Sequence, residues 1–254
     1  MASSLHEPEG TDTDALDYAD APPSPPEPHH RNVQGGAARA AVFGVSDGLV
    51  SNVALILGVA GAHPAAGVVR LAGLAGLIGG AVSMAAGEYI SMRAQAELLE
   101  RELEMERIEL RRRPEGERRE LIEIYRSRGI EPRIAEELAT AMMRNPEMAL
   151  ETHAREELGI DPNSLGSPVA ASISSFLCFA AGALLPLLPW FFASGTGALV
   201  ASVILGLFGS LAVGGSLARF TGRSVTWSAA RQLLVSAVPA AITYGLGSLV
   251  GVGV

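Results

Sequence analysis

Asp47 is the first residue whose type and place could do chemistry. It stands in Gly44-Val45-Ser46-Asp47-Gly48, about a third of the way into an otherwise apolar run. A carboxylate inside a membrane-length apolar segment costs at least about 3 kcal/mol, and such residues line pathways or bind ions. The plainer alternative is a carboxylate near the lipid headgroups, or one tied to Ser51 a turn later. Met84 and Glu88 lie four residues apart in the next apolar run, so on a helix they share a face. A thioether and a carboxylate on one face offer a soft and a hard donor. That mixture suits a borderline metal such as iron(II) better than magnesium or calcium. Taken alone, Met84 reads better as apolar filler; paired with Glu88 and Asp47, the two readings are even.

A second set of candidate ligands is acidic. Glu97, Glu100, Glu102, Glu104, Glu106 and Glu109 fall within thirteen residues, and Glu117 and Glu120 follow. On a helix Glu102, Glu106 and Glu109 share one face, and Glu117 and Glu120 share a face of the next helix. Two such faces packed together would gather several carboxylates around a hard or borderline cation. The alternative is a solvated helix laced with ion pairs, since Glu97–Arg101 and Glu109–Arg113 have i,i+4 spacing. Further along, Met142 continues an apolar stripe while Met143 faces elsewhere. His153 and Glu157 are one turn apart, a workable metal pair that also arises by chance. The chain has no nucleophile motif, no Gly-rich phosphate loop and no lysine, so neither an enzyme nor ATP-driven transport by this chain alone is expected.

The elements that must position these residues are apolar helices. Five segments reach the roughly 20 residues needed to cross a bilayer: about Arg39 to Ala62, Val68 to Met92, Ser167 to Leu188, Thr196 to Leu217, and Thr226 to Val252. The third is expected to stop at Pro186 and Pro189. Between the second and third spans lies a charged insert, about 93–166. From Ala94 to Arg112 it contains neither Pro nor Gly, so the second span should continue into it as one helix. Pro114, Pro132 and Pro146 open three further helices, the first ended by Gly129 and the last by Gly159. No internal repeat is visible.

Charge sets the orientation and excludes some partners. The net charge is −8, which excludes a nucleic-acid partner that needs a basic face. All 19 basic residues are Arg, a pattern read here as GC-rich coding. Arg31 and Arg39 precede the first span, Arg93 to Arg113 follow the second, and Arg219, Arg223 and Arg231 flank the loop between the fourth and fifth. The positive-inside rule then puts the N-terminus and the insert in the cytoplasm and the C-terminus outside. Residues 1–36, with four aspartates and Pro22-Pro23-Ser24-Pro25-Pro26, read as a disordered acidic tail without a signal peptide. His29-His30 in it reads as solvated. Cys178, the single cysteine, excludes a disulfide or thiolate cluster within one chain.

Three stretches together resemble the vacuolar iron transporter (VIT) family of iron and manganese exporters. They are Gly44-Val45-Ser46-Asp47-Gly48-Leu49-Val50-Ser51-Asn52, Gly80-Ala81-Val82-Ser83-Met84-Ala85-Ala86-Gly87-Glu88-Tyr89-Ile90-Ser91, and His153-Ala154-Arg155-Glu156-Glu157-Leu158-Gly159-Ile160. The resemblance implies an all-α fold of five spans with a cytoplasmic helical insert, and a homodimer with the pathway between subunits. It implies export of iron(II) or manganese(II) from the cytoplasm in exchange for protons, with no cofactor beyond the transported ion. By resemblance Asp47 and Met84 are pathway residues; Glu88, on the face of Met84, is added to the pathway as a candidate proton carrier. Glu106, Glu109, Glu117, Glu120, Met142, Met143 and Glu157 become ligands of the insert. The alternative is a membrane-anchored storage or sensing protein, whose insert binds metal without flux. The missing targeting segment and the coding bias place the chain in a bacterial plasma membrane.

Overall fold

The computed structural model describes residues 36–159 and 166–251. The expected tail, with His29-His30, and the end of the insert at 160–165 lie outside them. Every element among the described residues is helical. Five helices are long and apolar enough to cross a membrane: α1 (Gly36–Gly61), α2 (Ala66–Arg112), α6 (Pro168–Leu187), α8 (Gly195–Thr221) and α9 (Val225–Gly251). Three amphipathic helices, α3 (Pro114–Ser127), α4 (Pro132–Met142) and α5 (Pro146–Glu156), stand between the second and third spans. A single turn, α7 (Pro189–Phe192), joins α6 to α8.

The helix ends follow local chemistry. Pro occupies the first turn of α3, α4, α5 and α6, where its missing N–H would have had no partner. Asn145 caps α5, its side-chain oxygen accepting from the Glu147 N–H at 2.8 Å. Gly129 and Gly159 follow α3 and α5 with φ of +89° and +65°, a region that costs glycine little. Nothing interrupts α2 for 47 residues, so it extends roughly 70 Å and carries the second span into the insert. The one departure concerns Pro186, which lies inside α6 instead of ending it. The helix survives for one more residue, and the Pro186 carbonyl accepts a hydrogen bond from Ser202 Oγ of α8 at 2.7 Å. The stop falls at Pro189.

Small residues set the packing of the spans. Gly44 and Gly48 of α1 face the main chain of α6 at Ser175 and Phe179, and Gly182 of α6 faces Val45 and Leu49. Any side chain at these glycines would collide with the opposite backbone, so α1 and α6 approach as only small residues permit. Leu49, Val53, Ile56, Leu57, Val69, Leu187 and Trp190 fill the core that this contact leaves. The insert has its own core of Leu121, Ile122, Tyr125, Ala135 and Ala139. Outward apolar side chains such as Leu71, Phe208 and Leu249 remain exposed, as lipid-facing residues should.

Candidate metal sites

The first site is a groove between α1 and α2. Phe43, Asp47 and Ser51 recur every four residues on an exposed face of α1, and Ser83 and Met84 face them from α2. Together with Asn52, Leu55, Gly76, Gly80 and Phe179 they line an open cavity of about 350 Å³. The structure therefore brings Asp47 and Met84 to one groove. Ser51 does not hold the Asp47 carboxylate: its Oγ donates to the Asp47 main-chain oxygen at 2.7 Å, an ordinary back-bond within α1. Glu88 is not among the lining residues. It lies one turn beyond Met84, where Arg39 of α1 donates to its Oε1 at 3.0 Å.

At the floor of this groove Asn52 is buried, with Nδ2 donating to the Ala183 carbonyl of α6 at 2.6 Å. A carbonyl can only accept, so the amide nitrogen must face α6 and Oδ1 must face away. No donor reaches Oδ1. Leaving a buried amide oxygen unpaired costs about 1–3 kcal/mol.

The small residues of α2 serve different neighbours. A side chain at Gly76 or Gly80 would strike Asn52, Leu55 or Phe179, so these glycines pack within the chain. Gly79 and Gly87 have open space before them and point out of the described chain.

The second site lies in the insert. One ligand atom from each of Glu106 on α2, Glu117 on α3 and His153 on α5 lies within 4.8 Å of the others, and all three residues are buried. His153 is held as a metal-ligating imidazole is usually held. Its Nδ1 lies 2.9 Å from the Ala149 carbonyl and its Nε2 3.3 Å from the Glu117 main-chain oxygen; a metal on Nε2 would require the neutral tautomer that donates from Nδ1. Nε2 lies 4.0 Å from Glu117 Oε2. Glu106 Oε1 is buried without a hydrogen-bond partner.

The electrostatics of this group match its geometry. Burial pushes the Glu106 carboxyl up to about 7; His153 pulls it back, while the neighbouring Glu157, Glu117 and Glu109 push it further up. Burial likewise raises Glu117 and Glu157, and Glu120 adds to both shifts. Six side chains thus share one electrostatic neighbourhood: Glu106, Glu109, Glu117, Glu120, Glu157 and His153. A divalent cation would relieve the repulsion among these carboxylates. Met142 and Met143 pack against the apolar core of α3 and α4, and Met143 also borders a groove near Arg107 and Arg111. Among the His, Cys, Asp and Glu side chains of the described residues, the His153 imidazole completes the buried group.

The ion-pair reading of the acidic helix also holds for part of its surface. Arg93–Glu97, Arg107–Glu104 and Arg113–Glu109 pair along α2 or at its end. Arg128, just past the end of α3, pairs with Glu156 of α5, tying the insert helices together. Exposed pairs of this kind contribute little stability. Glu106 faces inward and takes no part in them.

Sequence reasoning noted His153 but did not place it in the site, and it passed over Asn52 and Arg39. The available signals were weak. Ala149 and His153 fall at helical spacing on a buried stripe, and Asn52 closes the first long motif.

The architecture is that of a five-span helical membrane protein with an acidic helical insert. Comparison with known proteins narrows it: the sequence profile of the VIT family matches residues 38–248, and the chain belongs to that family. A vacuolar iron transporter of Acanthamoeba castellanii is 38% identical over 228 residues, covering 87% of this chain and 82% of that one. Vacuolar iron transporter 1 of Oryza sativa subsp. japonica is 32% identical over 88% of this chain and 89% of its own. Its namesake from Eucalyptus grandis is 32% identical over 85% of this chain and 87% of its own.

Proposed function

We propose that this protein transports a divalent transition metal, iron(II) or manganese(II), out of the cytoplasm in exchange for protons, and that it is not an enzyme. The names of its relatives support iron transport. The observation that carries the reading is Asp47. It is an exposed carboxylate in the middle of a span, facing a cavity that also presents the Met84 thioether. Lipid against that carboxylate would be costly. A second copy of the chain, laid against the groove and against the open Gly79 and Gly87 face of α2, would cover it and place the pathway between subunits.

In this reading the insert (93–166) captures cytoplasmic metal and the spans (37–92 and 167–254) conduct it. Glu106 lies 22 residues, or roughly 33 Å, beyond Met84 along α2, so one rigid helix links capture to conduction. Protons reaching the groove from the far side compete with metal for the same carboxylate oxygen and release the ion. Arginine placement puts the N-terminus and the insert in the cytoplasm and the C-terminus outside. The relatives are named for a vacuole; a bacterial plasma membrane would give the same direction, away from the cytoplasm.

The buried Glu106–Glu117–His153 group would equally serve a storage or sensing protein, which binds metal without moving it. Flux separates the two readings. Purified protein in liposomes with manganese(II) outside is expected to accumulate the metal when the interior is made acid. Metal binding with no accumulation under any gradient would favour storage or sensing.

A further inference from the structure

We propose that Asn52 supplies a neutral oxygen ligand to the ion after it leaves Asp47, at the inner end of the same groove. The inference rests on the transport reading and adds a station to it.

Three observations carry it. Asn52 is 1% exposed, and the bond from its Nδ2 to the Ala183 carbonyl fixes the amide in one orientation. Its Oδ1 then points away from α6 towards α2 and has no partner. In front of that oxygen stands Gly76, where a Cβ would come within 2.9 Å of it. The chain thus orients a strong acceptor, leaves it unpaired, and keeps the backbone opposite bare. Both residues line the cavity that holds Asp47 and Met84.

Position gives the oxygen its role. Asn52 lies five residues beyond Asp47 along α1, roughly 7.5 Å further from the insert. An ion released from the carboxylate would meet this amide next. An amide oxygen is a hard donor suited to manganese(II) or iron(II) and carries no charge. It does not titrate, so it can hold the ion in passage without retaining it when the carboxylate takes up a proton.

The test compares manganese(II) with cadmium(II), a softer ion, in proteoliposomes of wild type, Asn52→Leu and Gly76→Ala. Loss of the oxygen is expected to lower manganese flux by about tenfold or more. It should lower the manganese-to-cadmium flux ratio by at least about threefold, because the lost donor is hard. A merely structural role for Asn52, locking α1 to α6, slows both ions alike. An unchanged ratio in Asn52→Leu therefore overturns the proposal and leaves the transport reading intact. If Asn52→Leu does not fold, Gly76→Ala decides: its Cβ would push aside the tip of Leu55 and crowd Oδ1 at 2.9 Å, while the amide itself is retained. The same ratio shift is expected there, and a wild-type ratio overturns the proposal. Wild-type protein that moves neither metal overturns the transport reading as well.

Discussion

His153 Nε2 points at Glu117, 4.0 Å from its Oε2 and 3.3 Å from its main-chain oxygen, with both side chains buried. The two residues come from α5 and α3 and meet over Glu106 of α2. Removing the imidazole as His153→Leu keeps the volume and takes away the nitrogen. The equilibrium affinity of the full-length protein for manganese(II) is expected to fall by about tenfold, the usual scale for losing one partner of a metal site. Titration of detergent-solubilised protein measures it. Wild-type affinity in that variant would remove His153 from the site.

The spans were legible because a bilayer demands a fixed length of apolar helix, and the insert helices because Pro and Gly punctuate them at 114, 129, 132, 146 and 159. Asp47 and Met84 were legible because each breaks or decorates an apolar run, and the structure brings them to one groove. Beyond Glu120, Glu157 shares the neighbourhood of Glu106, but the part played by His153 was not legible. Two loops separate α3 from α5, and the sequence does not fix the rotation of α5 about its own axis. Tertiary packing decides that rotation: it turns His153 inward and leaves Met142 and Met143 in an apolar core. Asn52 was overlooked for a similar reason, since only the contact with Ala183 shows which way its amide faces.

The pH dependence of the metal-free insert follows from Glu106. Its carboxyl sits at about 7 against an ordinary 4.5, so between those values the folded insert holds a proton that the unfolded chain releases. Stability of the metal-free form therefore falls as pH rises from about 4.5 to about 7. Burial-raised Glu117 and Glu157 act in the same direction. Hydrogen exchange in α3 and α5, corrected for its intrinsic pH dependence, is expected to show weaker protection at pH 8 than at pH 5. Glu106→Gln should flatten the trend and weaken metal binding together. Protection that rises with pH in the metal-free protein would contradict the assignment.

Arg39 and Glu88 give the end of the groove nearer the insert a different character from its middle. The guanidinium is 63% exposed and the carboxylate 16%, so the pair is wet on one side. A cation approaching Glu88 must displace Arg39 or pass by it. Arg39→Gln is expected to lower the half-saturating metal concentration for flux by about threefold, roughly 0.6 kcal/mol, within the range of a partly exposed ion pair. Initial rates over a manganese(II) series measure it. A rise in that concentration would mean that Arg39 positions Glu88 for the ion instead of competing with it.

Asp47→Asn separates the two sites. The substitution is nearly isosteric, and because Asp47 faces the cavity and not the core, it leaves the packing of α1 on α6 untouched. An amide can still offer an oxygen, but it carries no charge to hold a dehydrated divalent ion against its hydration and takes up no proton in exchange. Flux is expected to fall by about a hundredfold or more, the loss associated with removing a metal partner at the strong end of its range. Manganese(II) binding to the insert should stay within about twofold of wild type, because Glu106 lies some 33 Å from the groove along α2. Both quantities come from one preparation, flux in liposomes and binding in detergent. Transport at the wild-type rate would show that the ion passes without this carboxylate. Loss of insert binding along with flux would show instead that the long helix couples the two sites more tightly than their separation implies.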